Sequence, residues 1–188
     1  MGELRNPEPG ELKLVGPAPG QKPPAPMSTQ RKARKQALDL LFEAELLDES
    51  LATRLAADVA DAERPPLREL GHDIVAAVID HAETIDAAIE DNLTGRWSLM
   101  RMPRVDRCLT RMAVAEMWFV GTPTAVVINE AVALAETFST DDSAGFLNGV
   151  LGRIAVVERP DVEAAGAASD PNGVADEAAE EAAHTPED

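Results

Sequence analysis

The sequence predicts an all-α fold, a compact bundle of six to seven helices, on three observations. Apolar residues recur at spacings of three and four along most of residues 28–157. No segment of useful length alternates apolar with polar as a half-buried strand would. Aromatic residues are only 3% of the 188, tyrosine is absent, and alanine, leucine and glutamate dominate, a composition that favours helix over sheet.

Three segments follow from composition. Residues 1–27 form a Pro/Gly-rich arm; residues 1–26 alone hold seven of the 14 prolines and are expected to be disordered. Residues 28–157 form the helical domain. Residues 158–188 carry ten acids and one base, with no apolar stripe, and read as a disordered acidic tail.

Within the domain, Ser28 or Thr29 caps a first helix whose stripe is Ala33, Ala37, Leu40, Ala44 and Leu47. A weaker helix covers about 51–62 and stops before Pro65-Pro66. A third runs over about 66–93, with Leu67, Leu70, Ile74, Val78, Ala82, Ile85 and Ile89 near one face and a break expected around 82–84. Thr94-Gly95 ends it. Pro103 suits a helix start, and the next helix carries Leu109, Met112 and Phe119. After the break at Gly121–Thr124, Ile128, Ala131, Val132, Ala135 and Phe138 form a stripe. Ser139 or Thr140 caps the last helix, with Asp141 and Asp142 in its first turn and Leu147, Val150, Leu151 and Ile154 on its core face.

Charge locates the function. The chain carries a formal charge of -17, yet Arg31, Lys32, Arg34 and Lys35 crowd the start of the first helix. There the helix dipole disfavours cations, so local energetics do not explain them. On a helical wheel Arg31, Lys35, Leu38 and Phe42 oppose the stripe and Arg34 lies on its flank. A solvated face is the ordinary meaning of a charge run, but one that opposes the sign of the whole chain points to a polyanion. Phe42 either packs under a neighbour or receives a partner. In the last helix Phe146 lies off the core stripe, on a flank shared with Asp142, Gly149 and Arg153. Close helix packing is expected to explain Gly149. Gly145 with Phe146 reads equally as packing or as a ring beside a gap for base stacking.

Other residues read as structural. His72, His81 and His184 lack ligand spacing, so no metal and no cofactor are expected. Glu116 falls on an apolar stripe and is expected to be a buried hydrogen-bonding partner for a helix end rather than a catalytic acid. Trp97 and Trp118 are expected to plug the core, and Cys108 to act as a small hydrophobe. With no phosphate-cradling loop or nucleophile elbow, an enzyme is disfavoured. No apolar run is long enough to span a membrane, and a cytoplasmic protein is expected.

Three stretches carry a resemblance: RKARKQALDLLFEAEL at 31–46, RWSLMRMPRVDRCLTRMAVAEM at 96–117, and PTAVVINEAVALAETFSTDDSAGFLNGVLGRIA at 123–155. They resemble the NusB family of bacterial transcription antitermination factors, in its actinobacterial form. The resemblance implies two small helical subdomains packed across each other. It implies binding of boxA-type single-stranded RNA in nascent ribosomal RNA leaders, together with the ribosomal protein NusE, as part of the RNA polymerase antitermination complex. By position it assigns RNA binding to Arg31, Lys32, Arg34, Lys35, Asp142, Ser143 and Phe146, and NusE binding to Phe42, Asp106 and Arg111. The competing expectation is a helical interaction module without RNA binding, with a homodimer covering the basic face. NusB-like domains also occur fused to RNA methyltransferases, but no cofactor-binding domain is recognised in this sequence.

Overall fold

In the computed structural model, residues 27–95 and 97–159 are described. The arm over 1–26, Arg96 and the tail beyond Arg159 lie outside the described residues. Seven α-helices follow in order: α1 (Thr29–Leu47), α2 (Leu51–Ala60), α3 (Glu69–Asp80), α4 (Ala82–Asn92), α5 (Arg104–Ala115), α6 (Thr124–Phe138) and α7 (Ser143–Ile154). A 3-10 turn (Leu99–Arg101) precedes α5, and a π-helical turn (Glu116–Val120) extends it. No strand occurs among the described residues.

Helix α5 is the axis of the fold. It packs on α1 and α3 to one side and on α4, α6 and α7 to the other, and so joins an α1–α3 group to an α4–α7 group. Its sequence suits that place, because Cys108, Leu109, Met112, Ala113, Val114 and Ala115 are all buried. Burial pushes the Cys108 thiol up to about 12, so it is an inert apolar group here. The core face expected for α7, Leu147, Val150, Leu151 and Ile154, is fully buried.

Several boundaries match their local chemistry. The Ser28 hydroxyl accepts from the Arg31 N–H at 3.1 Å, and that of Ser50 from Thr53. The long third pattern breaks at His81, one residue ahead of the expected place, giving α3 and α4. Gly121, at φ +80°, ends the π-helical turn in the left-handed region.

Elsewhere the packing overrides the wheel. Helix α1 contacts α2, α3 and α5, so two of its sides are covered. Leu38, expected opposite the stripe, is buried, while Leu47, expected on it, is 58% exposed where α1 outruns its neighbours. Ala82 and Phe138 also leave the core, as the first and last residues of their helices. Helix α7 begins at Ser143. Asp141 and Asp142 form the turn before it, and Thr140 and Ser143 hydroxyls bond at 2.8 Å. Trp97 is no core plug: it is 53% exposed, in the segment between α4 and the 3-10 turn. Trp118 is half-buried against the core, edge-on to Phe119.

Candidate nucleic-acid interface

The four cations expected on the RNA face meet four different environments. Lys32 is exposed and makes no ion pair among the described residues. Lys35 is half-exposed; its Nζ lies 2.6 Å from Asp39 one turn along and 5.4 Å from the centre of the Phe138 ring. Arg31 reaches across to α6, where its Nε and Nη2 donate to the two Glu130 oxygens at 2.7 and 2.8 Å. That hydrogen bond raises the Arg31 guanidinium above its ordinary value and holds the Glu130 carboxyl below its own.

Arg34 departs from the surface expectation. It is only 4% exposed, and it donates from Nε and Nη2 to Glu116 at the start of the π-helical turn. Its Nη1 lies 3.9 Å from Glu130. Glu116 is buried and hydrogen-bonded as expected, but its partner is this guanidinium and not a helix end. The exposed cationic surface is therefore Arg31, Lys32 and Lys35, with Arg34 beneath it joining α1 to the π-helical turn.

Helix α6 leads from this surface to the second expected site. Glu130 sits under Arg31, Phe138 lies beside Lys35, and the turn after Phe138 delivers Asp141 and Asp142 to the start of α7. Asp142 is exposed at that helix end. Ser143 is not exposed. Its hydroxyl donates to Asp106 at 2.8 Å, and Ser139 donates to the other Asp106 oxygen. Asp106 is likewise buried, so Asp106 and Ser143, assigned to two different surfaces, meet in one buried latch between α5 and the α6–α7 turn. Phe146, one turn along α7, is half-buried, and its ring centre lies 5.9 Å from that of Trp97.

The expected partner residues divide in the same way. Phe42 is half-buried against the core. One turn on, Glu45 bridges Arg107 and Arg111, and Arg111 also forks onto Asp86 at 2.7 and 2.8 Å. Burial pulls the Arg111 guanidinium down, but the bonds to Asp86 and the field of Glu45 outweigh it and leave it raised. Arg111 thus lies in an ion-paired cluster with Glu45 of α1 and Asp86 of α4, with Phe42 one turn before Glu45, while Asp106 is bonded to the α6–α7 turn instead.

Sequence reasoning missed Trp97 and Phe138 as exposed rings. The signal for Trp97 was its position in a segment with no helical period, hence no stripe to bury it.

Comparison with known proteins agrees with this architecture. A model of the NusB family matches residues 31–156. The transcription antitermination protein NusB of Leifsonia xyli subsp. xyli is 48% identical over 134 residues, covering 69% of this chain and 92% of its own. That of Salinispora arenicola is 48% identical over 132 residues, covering 69% and 96%. The match to the namesake in Cutibacterium acnes is 46% identical and spans 69% of this chain but only about half, 49%, of that protein. Among solved structures, T. maritima NusB superposes with a TM-score of 0.62 at 31% identity, covering 71% of this chain and 94% of its own. A crystal structure of antitermination factors NusB and NusE in complex with dsRNA gives 0.57 at 27% identity, covering 69% and 98%. With the family model spanning nearly the whole helical domain and relatives 48% identical over almost their full length, the chain belongs to the NusB family.

Proposed function

We infer that the chain is a transcription antitermination factor that binds boxA-type RNA of nascent ribosomal RNA leaders together with NusE, and that it acts in the cytoplasm on RNA polymerase. One observation carries this reading. Arg31 and Lys35 of α1, with Lys32 exposed on the same first turns, meet the α6 helix whose end leads through Phe138 and Asp142 to Phe146. Cations at one end would hold phosphates, and aromatic rings at the other would receive unpaired bases, which is how single-stranded RNA is read. The NusB relatives support the antitermination role by likeness, and the NusB–NusE complex with dsRNA supports NusE and RNA as partners; the unpaired state of the RNA rests on the path from cations to aromatic rings alone. Phe42, two turns beyond Lys35 on the same side of α1, and Arg111 are the residues proposed to meet NusE; Asp106 and Ser143 position the α6–α7 turn from within. No described helix is long and apolar enough to cross a membrane.

The test is fluorescence anisotropy with a labelled boxA-type RNA at two salt concentrations, with and without NusE. The variant is Arg31→Ala/Lys32→Ala/Lys35→Ala, which spares buried Arg34. Each lost phosphate contact lowers the salt slope by roughly 0.7 for single strands, so the triple variant should bind weakly and lose about 2 from the slope. A folded wild type that ignores the RNA even with NusE would leave the interaction-module reading, with its homodimer, to be tested by sizing in solution.

A further inference from the structure

Exposed hydrophobic residues occurring singly are ordinary. What distinguishes Trp97 is how firmly its segment is held while its ring is left in water. The next buried residue, Leu99, donates its N–H to Glu90 at 2.8 Å, and its carbonyl accepts from Arg107 Nη1 at 3.2 Å. The same guanidinium atom takes the Met102 carbonyl at 3.3 Å. The backbone beside Trp97 is thus pinned to α4 and α5, and the ring stands out from a fixed base. Its neighbour is Phe146, with the two ring planes at 45°, neither stacked nor edge-on. Two tilted rings leave a wedge with aromatic faces on both sides.

The flank of α7 beside this wedge is bare. A Cβ built on Gly145 meets nothing within 4 Å, and one on Gly149 meets only Arg153 Nη1 at 3.7 Å. No other helix crowds either glycine, so the helix packing expected to explain Gly149 is not its reason. Glycine inside a helix costs about 1 kcal/mol relative to alanine. What that cost leaves is a flat floor, running about two turns beyond Phe146 to Arg153. The Arg153 Nε donates to the Asn92 carbonyl at 2.9 Å, which fixes the guanidinium, and it has no acidic partner among the described residues.

We propose that Trp97, Phe146, Gly149 and Arg153 form a subsite for one unpaired RNA nucleotide, its base stacked on the Trp97 ring and its phosphate held by Arg153. The subsite rests on the RNA-binding reading and extends it. The RNA strand runs past Phe146 along α7 and does not end there. Aromatic stacking accepts any base, so this nucleotide contributes affinity with little sequence choice.

The experiment is an abasic scan with the full chain and NusE. Each nucleotide of the boxA-type RNA is replaced in turn by an abasic residue, and binding is measured for wild type, Trp97→Ala, Trp97→Phe, Gly149→Leu and Arg153→Gln. Wild type should show one position near the strand end where loss of the base weakens binding on the order of tenfold. In Trp97→Ala intact RNA should bind about that much more weakly, and the abasic penalty at that one position should vanish while the others persist. Trp97→Phe should keep most of the affinity. Gly149→Leu, which fills the floor without touching the core, should reproduce the Trp97→Ala pattern, and Arg153→Gln should lower the salt slope. If Trp97→Ala and Gly149→Leu leave every abasic penalty unchanged, the subsite is overturned while RNA binding stands. Wild type that binds no RNA overturns the RNA-binding reading and the subsite with it.

Discussion

Replacing Glu116 with alanine should be among the most damaging single changes in the domain, although Glu116 touches no proposed ligand. Arg34 is 4% exposed and forks onto Glu116, which is itself 2% exposed. Without that carboxylate the nearest acidic group in place is Glu130, at 3.9 Å and already engaged by Arg31. A buried cation deprived of its partner typically costs about 3–5 kcal/mol. For a domain of this size, with a urea slope near ~2 kcal/mol per molar, the unfolding midpoint should fall by roughly 2 M. Arg34→Ala should cost a similar amount, because it strands the Glu116 carboxylate instead. The double change Arg34→Met/Glu116→Leu removes both charges and fills the space, and it should recover to within about 1–2 kcal/mol of wild type. The assay is equilibrium urea unfolding followed by circular dichroism. If Glu116→Ala unfolds within 1 kcal/mol of wild type, the pair is not what closes α1 against the π-helical turn. If the double variant is as unstable as either single, shape and not charge pairing is the cause.

Further outcomes follow from other contacts. Arg31 holds the Glu130 carboxyl below its ordinary value, so this pair adds stability above the unfolded carboxylate pKa of 4.5 and loses it as pH falls through the lowered folded value. The stability difference between wild type and Glu130→Gln should therefore shrink only on acidification below about pH 4.5; a difference constant down to pH 2 would count against it. The Cys108 thiol, buried and raised to about 12, should resist Ellman's reagent at pH 8 until the chain unfolds, and rapid labelling of the native protein would contradict its burial. A Cβ on Gly71 would meet the Ala33 carbonyl oxygen at 2.8 Å, so Gly71→Ala should force α3 from α1 and cost roughly 1–3 kcal/mol in the same urea assay. An unchanged midpoint would mean the helices are not in close contact there. The acidic segment 158–188, with its net charge of -9, should compete with RNA for the basic face; deleting it should tighten RNA binding at low salt, and equal affinity would dismiss the competition.

Helix order and most of the core were legible because they follow from local period and capping. The break at His81, the stop at Gly121 and the α7 core face all carry their signals within a few residues. The burial of Leu38 and Arg34 was not legible, because a wheel assumes one buried side and α1 is covered on two. The fate of each cation was hidden for a related reason. Arg34 and Glu116 are 82 positions apart, and Arg31 and Glu130 are 99 apart, so no local pattern links them. Trp97 and Phe138 were misplaced because an aromatic residue at or beyond a helix end carries no periodicity to say which way it faces. Phe146 was placed on a flank of its own helix, but its pairing with Trp97 depends on how α4 delivers a segment to α7.

The carboxylates beside the basic face also bear on how the protein would search for its target. Asp39 and Glu130 already answer two of the three exposed cations from within the chain. On the RNA-binding reading, an arbitrary transcript gains little at those two, since a phosphate there must displace a carboxylate already in place. Encounters with bulk RNA would then be brief, and the free protein would pass quickly from strand to strand. Long residence would be kept for a strand that also fills the aromatic end of the path while a second protein holds the complex together.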